Sequence, residues 1–197
     1  MIDSAEFNER ISWKALKEIF PNIWWYGFNI TAVYFLEMIV IGCYAERVSQ
    51  YVRHNNPSNY FERNMFTLVT FAYTIGVAIA RSSLYLVRIN RIGILTTIQL
   101  LMNYCWFCEV AMMYIGEYVI IKNVYFLLLI VVFGGMMGGA SYINVFNEIV
   151  NSKQIRITQK ELAISICTLF YDMGVILSGL TGILLNHVLF PSKDISK

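Results

Sequence analysis

Five long, mostly apolar stretches, at about residues 22–45, 64–87, 92–115, 121–146 and 162–190, leave this chain few ways to fold. A run of about twenty apolar residues can cross the hydrocarbon core of a bilayer as an α-helix, and lipid admits only helices or closed barrels. Composition agrees, with 57% of residues hydrophobic and 14% charged, against roughly 25% charged in an average soluble domain. The expected fold class is an all-α membrane protein with about five transmembrane helices. The 15 basic and 13 acidic residues are scattered without a basic block, so the lipid bilayer is an expected partner and nucleic acid is not.

The segments outside the spans predict the topology. Residues 1–20 carry acidic residues and no apolar core after a basic start, which is not the pattern of a cleavable signal peptide. Within them Ile11, Ala15 and Ile19 share one helical face, so 11–20 reads as a short amphipathic helix lying at the interface, closed by Pro21. Trp24, Trp25 and Tyr26 then form an aromatic belt where the first span begins. The polar stretch from Glu46 to Arg63 reads as a loop, and its Asn56-Pro57-Ser58 is no glycosylation acceptor because proline holds the middle position. Arg10, Lys14, Lys17, Arg88, Arg91, Lys153, Arg156 and Lys160 fall on one side of the membrane, against Arg47, Arg53, Arg63, Lys122, Lys193 and Lys197 on the other. That excess places the N-terminal segment in the cytosol and the tail at 191–197 on the far side.

Catalytic and metal chemistry are not expected. Cys43, Cys105, Cys108 and Cys167 all lie inside apolar segments and read as packing residues. Cys105-x-x-Cys108 sits in mid-helix without a second ligand pair, and His54 and His187 are far apart, so no metal or other cofactor is implied. No Ser-His-Asp set, phosphate loop or catalytic carboxylate pair is present, which argues against an enzyme.

The chemistry-bearing candidates are the ionisable residues inside the spans, because each costs about 2.5–3.5 kcal/mol at the bilayer centre and tends to face a cavity or a partner. They are Glu37, Arg81, Glu109 and Asp172. A rise of about 1.5 Å per residue puts Arg81 roughly 9 Å, Asp172 roughly 15 Å, Glu37 roughly 22 Å and Glu109 roughly 25 Å from the cytosolic edge. These depths suit a contact between Arg81 and Asp172 when the site is empty, or between Arg81 and an anionic part of a solute; snorkelling of Arg81 to the headgroups is the competing reading. Glu37 reads either as a cavity carboxylate that titrates or as a protonated structural acid, and Glu109 as structural. Asn103, Asn144 and Tyr142 are polar enough to line a cavity, though interhelical hydrogen bonds would equally retain them.

The fourth span contains FGGMMGGASYINVF, Phe133 to Phe146. Gly134 with Gly138 and Gly135 with Gly139 form two overlapping small-residue ridges, and Gly174, Ser178 and Gly182 form a third on the last span. Such ridges let helices approach closely, while a bare backbone can also serve helices that slide or border a solute path.

The runs VYFLEMIVIG, GVAIARSSLYLVRI, GGMMGGASYINVF and DMGVILSGL stand here in the order and spacing of the battenin family, and the chain resembles the C-terminal half of its members over most of residues 11–190. The resemblance implies half of a major-facilitator-like fold in the lysosomal or vacuolar membrane, with residues 191–197 as a lumenal tail. It also implies export of small organic solutes such as glycerophosphodiesters by alternating access. Basic amino-acid transport and control of lumenal pH are proposed for relatives, so a membrane interaction or regulatory role without transport is the second reading. Glu37, Arg81 and Asp172 fall on family motif positions where charge is expected. Because family members carry about six further spans, a second transporter half or a second copy of the chain is the implied partner, with a small-molecule solute between the halves.

Overall fold

The computed structural model describes residues 13–55, 64–82, 91–116, 121 and 123–189, and every regular element among them is helical. Helix α1, Trp13–Ile39, passes into a π-helical segment, Val40–Ala45, and then into α2, Glu46–Asn55. Helices α3, Met65–Ser82, α4, Ile92–Gly116, and α5, Val124–Asn151, follow. A 3-10 turn, Ile157–Gln159, leads into α6, Lys160–Leu184, which ends in a second π-helical segment, Leu185–Leu189. Five of these stretches are long and apolar enough to cross a membrane: Ala15–Tyr51, Met65–Ser82, Ile92–Ile115, Val124–Asn151 and Ile157–Leu189.

The first span departs most from its expected limits. No break occurs at Pro21, which lies inside α1. The buried positions Ala15, Ile19, Ile23 and Ile30 run along one face through the proline, and Ile19, Ile23 and Ile30 share a core cluster with Ala163 and Cys167 of α6. Packing of that face holds one helix together where local propensity would end it. At the other end the polar residues from Glu46 to Asn55, expected as loop, are helical. Val48 and Ser49 are buried there, and the Ser49 hydroxyl donates to the Ala45 carbonyl at 2.6 Å. Parts of several expectations lie outside the described residues: the first positions of the interfacial helix, the turn at Arg88 and Asn90, and the tail at 191–197.

Helix α5 begins at Val124 because Asn123 caps it, its side chain accepting from the amides of Tyr125 and Phe126 at 2.9 and 3.3 Å. That satisfies two donors which the first turn of a helix otherwise leaves open. Hydroxyls in the spans find partners one turn back: Thr70 donates to Phe66 O, Thr74 to Thr70 O, Thr97 to Gly93 O and Thr181 to Leu177 O. Each can therefore face lipid without an unsatisfied polar group.

The bundle is organised as two close pairs, α1 with α6 and α3 with α5. Glycine makes both possible. A Cβ on Gly76 or on Gly135 would strike the carbonyl of Val132 or of Tyr73, and one on Gly139 would lie 2.8 Å from the Val77 carbonyl. In the other pair a Cβ on Gly174 would come within 2.6 Å of the Thr31 carbonyl, while Thr31 donates across the pair to Phe170 O at 2.7 Å. The third ridge is packed only in part. Gly174 and Ser178 are buried, but nothing lies within 4 Å of a Cβ placed on Gly182, so that glycine is not at a close approach. Gly134 meets only the end of Met102, at an ordinary 3.6 Å.

Of the four cysteines, Cys43 and Cys167 are buried in the core, whereas Cys105 is exposed on α4 and is not the packing residue expected there.

Candidate functional site

The pairing of α1 with α6 and α3 with α5 brings the tyrosines of three helices around one arginine. Tyr34 of α1 is 2% exposed, a position that demands a partner for its hydroxyl. It has two: the hydroxyl accepts from Arg81 Nη2 at 3.3 Å and donates to the Gly138 carbonyl of α5 at 3.5 Å. The Arg81 guanidinium, at the end of α3, lies over the Tyr142 ring of α5, 4.4 Å from its centroid. Cation–π attraction of this kind contributes about 0.5–2 kcal/mol, more as water is excluded. Tyr171 of α6 closes the group, its ring edge-on to Tyr34 with centroids 4.3 Å apart and 6.0 Å from that of Tyr142. Phe146 backs Tyr142 at 4.5 Å.

Arg81 itself remains exposed. It is thus fixed by Tyr34 and Tyr142, and among the described residues its guanidinium keeps unused donors, the arrangement that suits a fork meeting a carboxylate or phosphate. Its arm engages side chains of α1 and α5.

One turn from Tyr34 on the same helix, Glu37 is 2% exposed. Its carboxyl lies directly on the Cα of Gly138, where any side chain would collide with both oxygens. Tyr73 and Arg81 of α3 and the Gly138 main chain are its polar neighbours, yet neither oxygen has a formed hydrogen bond and no ion pair joins it to Arg81. Gly138 is therefore shared, its carbonyl serving Tyr34 and its bare Cα making room for Glu37.

The remaining candidates stand elsewhere. Asp172 follows Tyr171 in sequence but is exposed, and no ion pair joins it to Arg81. Asn144 is buried and donates to Ala140 O within α5 at 2.8 Å. Asn103 reaches Leu36 O of α1 at 2.9 Å, which ties α4 to the turn that carries Glu37. Glu109 is buried and accepts the Ile121 amide at 2.9 Å, closing the connection between α4 and α5 as a structural acid would.

Tyr34, Tyr73 and Tyr171 were missing from the sequence reading. The available signal was that Tyr34 precedes Glu37 by three residues and Tyr171 adjoins Asp172, in a chain with 13 tyrosines where no single one stands out. Towards the opposite end from Arg81, Asn186 of the second π segment accepts from Arg47 Nε at 3.1 Å and from the Cys43 thiol at 3.3 Å, linking the ends of the first and last spans.

Comparison with known proteins places these residues in a family. The family described as CLN3 protein matches residues 3–191. The chain is 30% identical to Battenin of Dictyostelium discoideum over 171 residues, 87% of this chain and 39% of that protein. It is 30% identical to Protein BTN1 of Eremothecium gossypii over 128 residues, 64% of this chain and 29% of that protein. Battenin of Canis lupus familiaris is 24% identical over 172 residues, 87% of this chain and 36% of that protein. The chain thus spans less than half the length of these relatives. No solved structure matches it.

Proposed function

The chain belongs to the CLN3 protein family and is a multi-pass protein of the lysosomal or vacuolar membrane, and from that premise we propose that it forms one wall of a path for small anionic solutes. Arg81 is the group that meets the anion. The observation that carries this reading is the held but exposed guanidinium, pinned by the Tyr34 hydroxyl and the Tyr142 ring. A cation fixed before the ligand arrives loses little further freedom on binding, which favours affinity. Solutes with a phosphodiester group, such as glycerophosphodiesters, fit a guanidinium fork and match what members of this family are expected to export. Movement would be by alternating access, with the glycine crossings of α3 on α5 and of α1 on α6 as the surfaces on which helices shift.

Flux of radiolabelled glycerophosphoglycerol into proteoliposomes tests the proposal, with the chain alone and with the remainder of a longer relative added. Arg81→Ala is expected to lower flux at least about tenfold, roughly the loss of one charge-assisted hydrogen bond to the solute. Asp172→Asn, on the exposed side of α6, should change it by less than about twofold. Equal flux in Arg81→Ala and the unaltered protein would sink the anion-site reading. No flux in either preparation would favour a regulatory or interaction role.

A further inference from the structure

The chemistry that Arg81 supplies leaves Glu37 unexplained. This carboxyl is 98% buried, since only 2% of the residue is exposed, and both oxygens lack a formed hydrogen bond. A carboxylate ion in such a place would be strongly destabilised, whereas a neutral acid would not. A carboxyl needed only to tie helices together would use its oxygens, as Glu109 does by accepting the Ile121 amide. Glu37 instead rests on a glycine Cα that leaves it just enough room.

Its surroundings contain a connection to the anion site. Tyr34 lies one turn away on α1, and its hydroxyl joins Arg81 to the carbonyl of Gly138, the residue that Glu37 covers. From α3 the facing groups are Tyr73 and Arg81, from α5 the Gly138 main chain, and from α6 Tyr171. Helix α4 contributes the neutral amide of Asn103, bonded to the carbonyl of Leu36. Among the described residues Arg81 is thus the single full charge that faces Glu37, and an anion bound to Arg81 cancels it.

We propose that Glu37 is a proton-binding site whose occupancy is linked to that of Arg81, so that a proton and an anionic solute are taken up together. The inference rests on the anion-site reading above. An unopposed Arg81 favours the ionised carboxyl, and once the anion neutralises Arg81 that support is lost and Glu37 takes a proton. The loaded site then holds one cation, one anion and one neutral acid, with no uncompensated charge to carry through the membrane. By linkage, a bound proton must tighten anion binding by the same factor that a bound anion tightens proton binding. A proton drawn from an acidic lumen would accompany each solute towards the cytosol.

Binding of glycerophosphoglycerol to the reconstituted chain, measured across pH, tests this. A phosphodiester stays a monoanion throughout that range, so any pH dependence belongs to the protein. The unaltered chain should bind about tenfold more tightly at acidic than at neutral pH, within the usual span of coupling between two sites. Glu37→Gln, neutral at every pH, should bind at the tight limit with no pH dependence. A pH dependence that survives Glu37→Gln would overturn the proposal.

Infrared spectra of the same preparations add a reading independent of the solute. At acidic pH the unaltered chain should show a protonated carboxyl band that Glu37→Gln lacks, and an identical band in both would likewise overturn the proposal. If Arg81→Ala binds the solute as well as the unaltered chain does, the anion-site reading falls and the linkage with it. The carboxyl band would then still report whether Glu37 holds a proton.

Discussion

Gly135 and Gly138 lie three residues apart on α5 and differ in nearly everything but type. Gly135 faces the Tyr73 carbonyl of α3, main chain against main chain, as do Gly76 and Gly139 along the same crossing. Gly138 faces a carboxyl group, and its own carbonyl takes the Tyr34 hydroxyl. In sequence both belong to overlapping small-residue ridges with the same spacing, and both are explained by the absence of a side chain. What differs is the neighbour. A backbone cannot yield, whereas the far end of a glutamate can rotate, so the first glycine is a condition of folding and the second a condition of what Glu37 does.

The sharpest way to break this contrast is to fill the α3–α5 crossing. Gly135→Leu should be the most damaging single change, beyond the ~1–3 kcal/mol usual for overpacking because main chain must move. Size-exclusion elution and thermal unfolding in detergent should show loss of the monodisperse form. A well-folded Gly135→Leu would mean that the two helices are not held so closely. Next, Gly138→Leu should impair folding or flux more than Leu128→Ala, since Leu128 is only partly buried and its loss leaves a small gap.

Gly138→Ala sharpens the contrast most. The atoms nearest the added methyl belong to the Glu37 carboxyl, which can shift, so thermal stability should fall by only about 1 kcal/mol. The pH dependence of glycerophosphoglycerol binding should change markedly in the same variant. Equal and large losses in both measurements would make Gly138 merely another packing glycine. The smallest effect belongs to Gly182→Ala, where open space receives the methyl and stability should stay within about 0.5 kcal/mol on the same unfolding assay.

These comparisons also mark how far the sequence could be read. The five spans were legible because hydropathy acts over about twenty residues and tolerates errors at the ends. The ends were not: Pro21 and the polar residues after Ala45 oppose a helix locally, and buried contacts override them. Within the site, Arg81, Glu37 and Tyr142 were identified from charge, polarity and depth, and the structure places them around Tyr34 and Gly138. Depth sets height in the membrane but not direction around a helix. Asp172 follows inward-facing Tyr171 by one residue, about 100° of rotation, which is enough to carry it outside. Gly182 teaches the same lesson for spacing, which fixes a face but not whether another helix stands against it.

Rotation matters again where α1 gives way to its π-helical segment. Cys43, Tyr44 and Ala45 are buried in succession there, as a wider turn allows and a regular α-helical face does not. Each i→i+5 bond takes up one residue more than the α-helical pattern, so everything beyond Ala45 is out of phase with everything before Val40. The segment thus acts as a vernier between the half of the first span that carries Glu37 and the half that holds Asn186 through Arg47. Wound as a regular α-helix without loss of a residue, the same segment would turn Arg47 about 100° away from Asn186. The two ends of the span can meet their different partners because the wider winding between them takes up the extra residue.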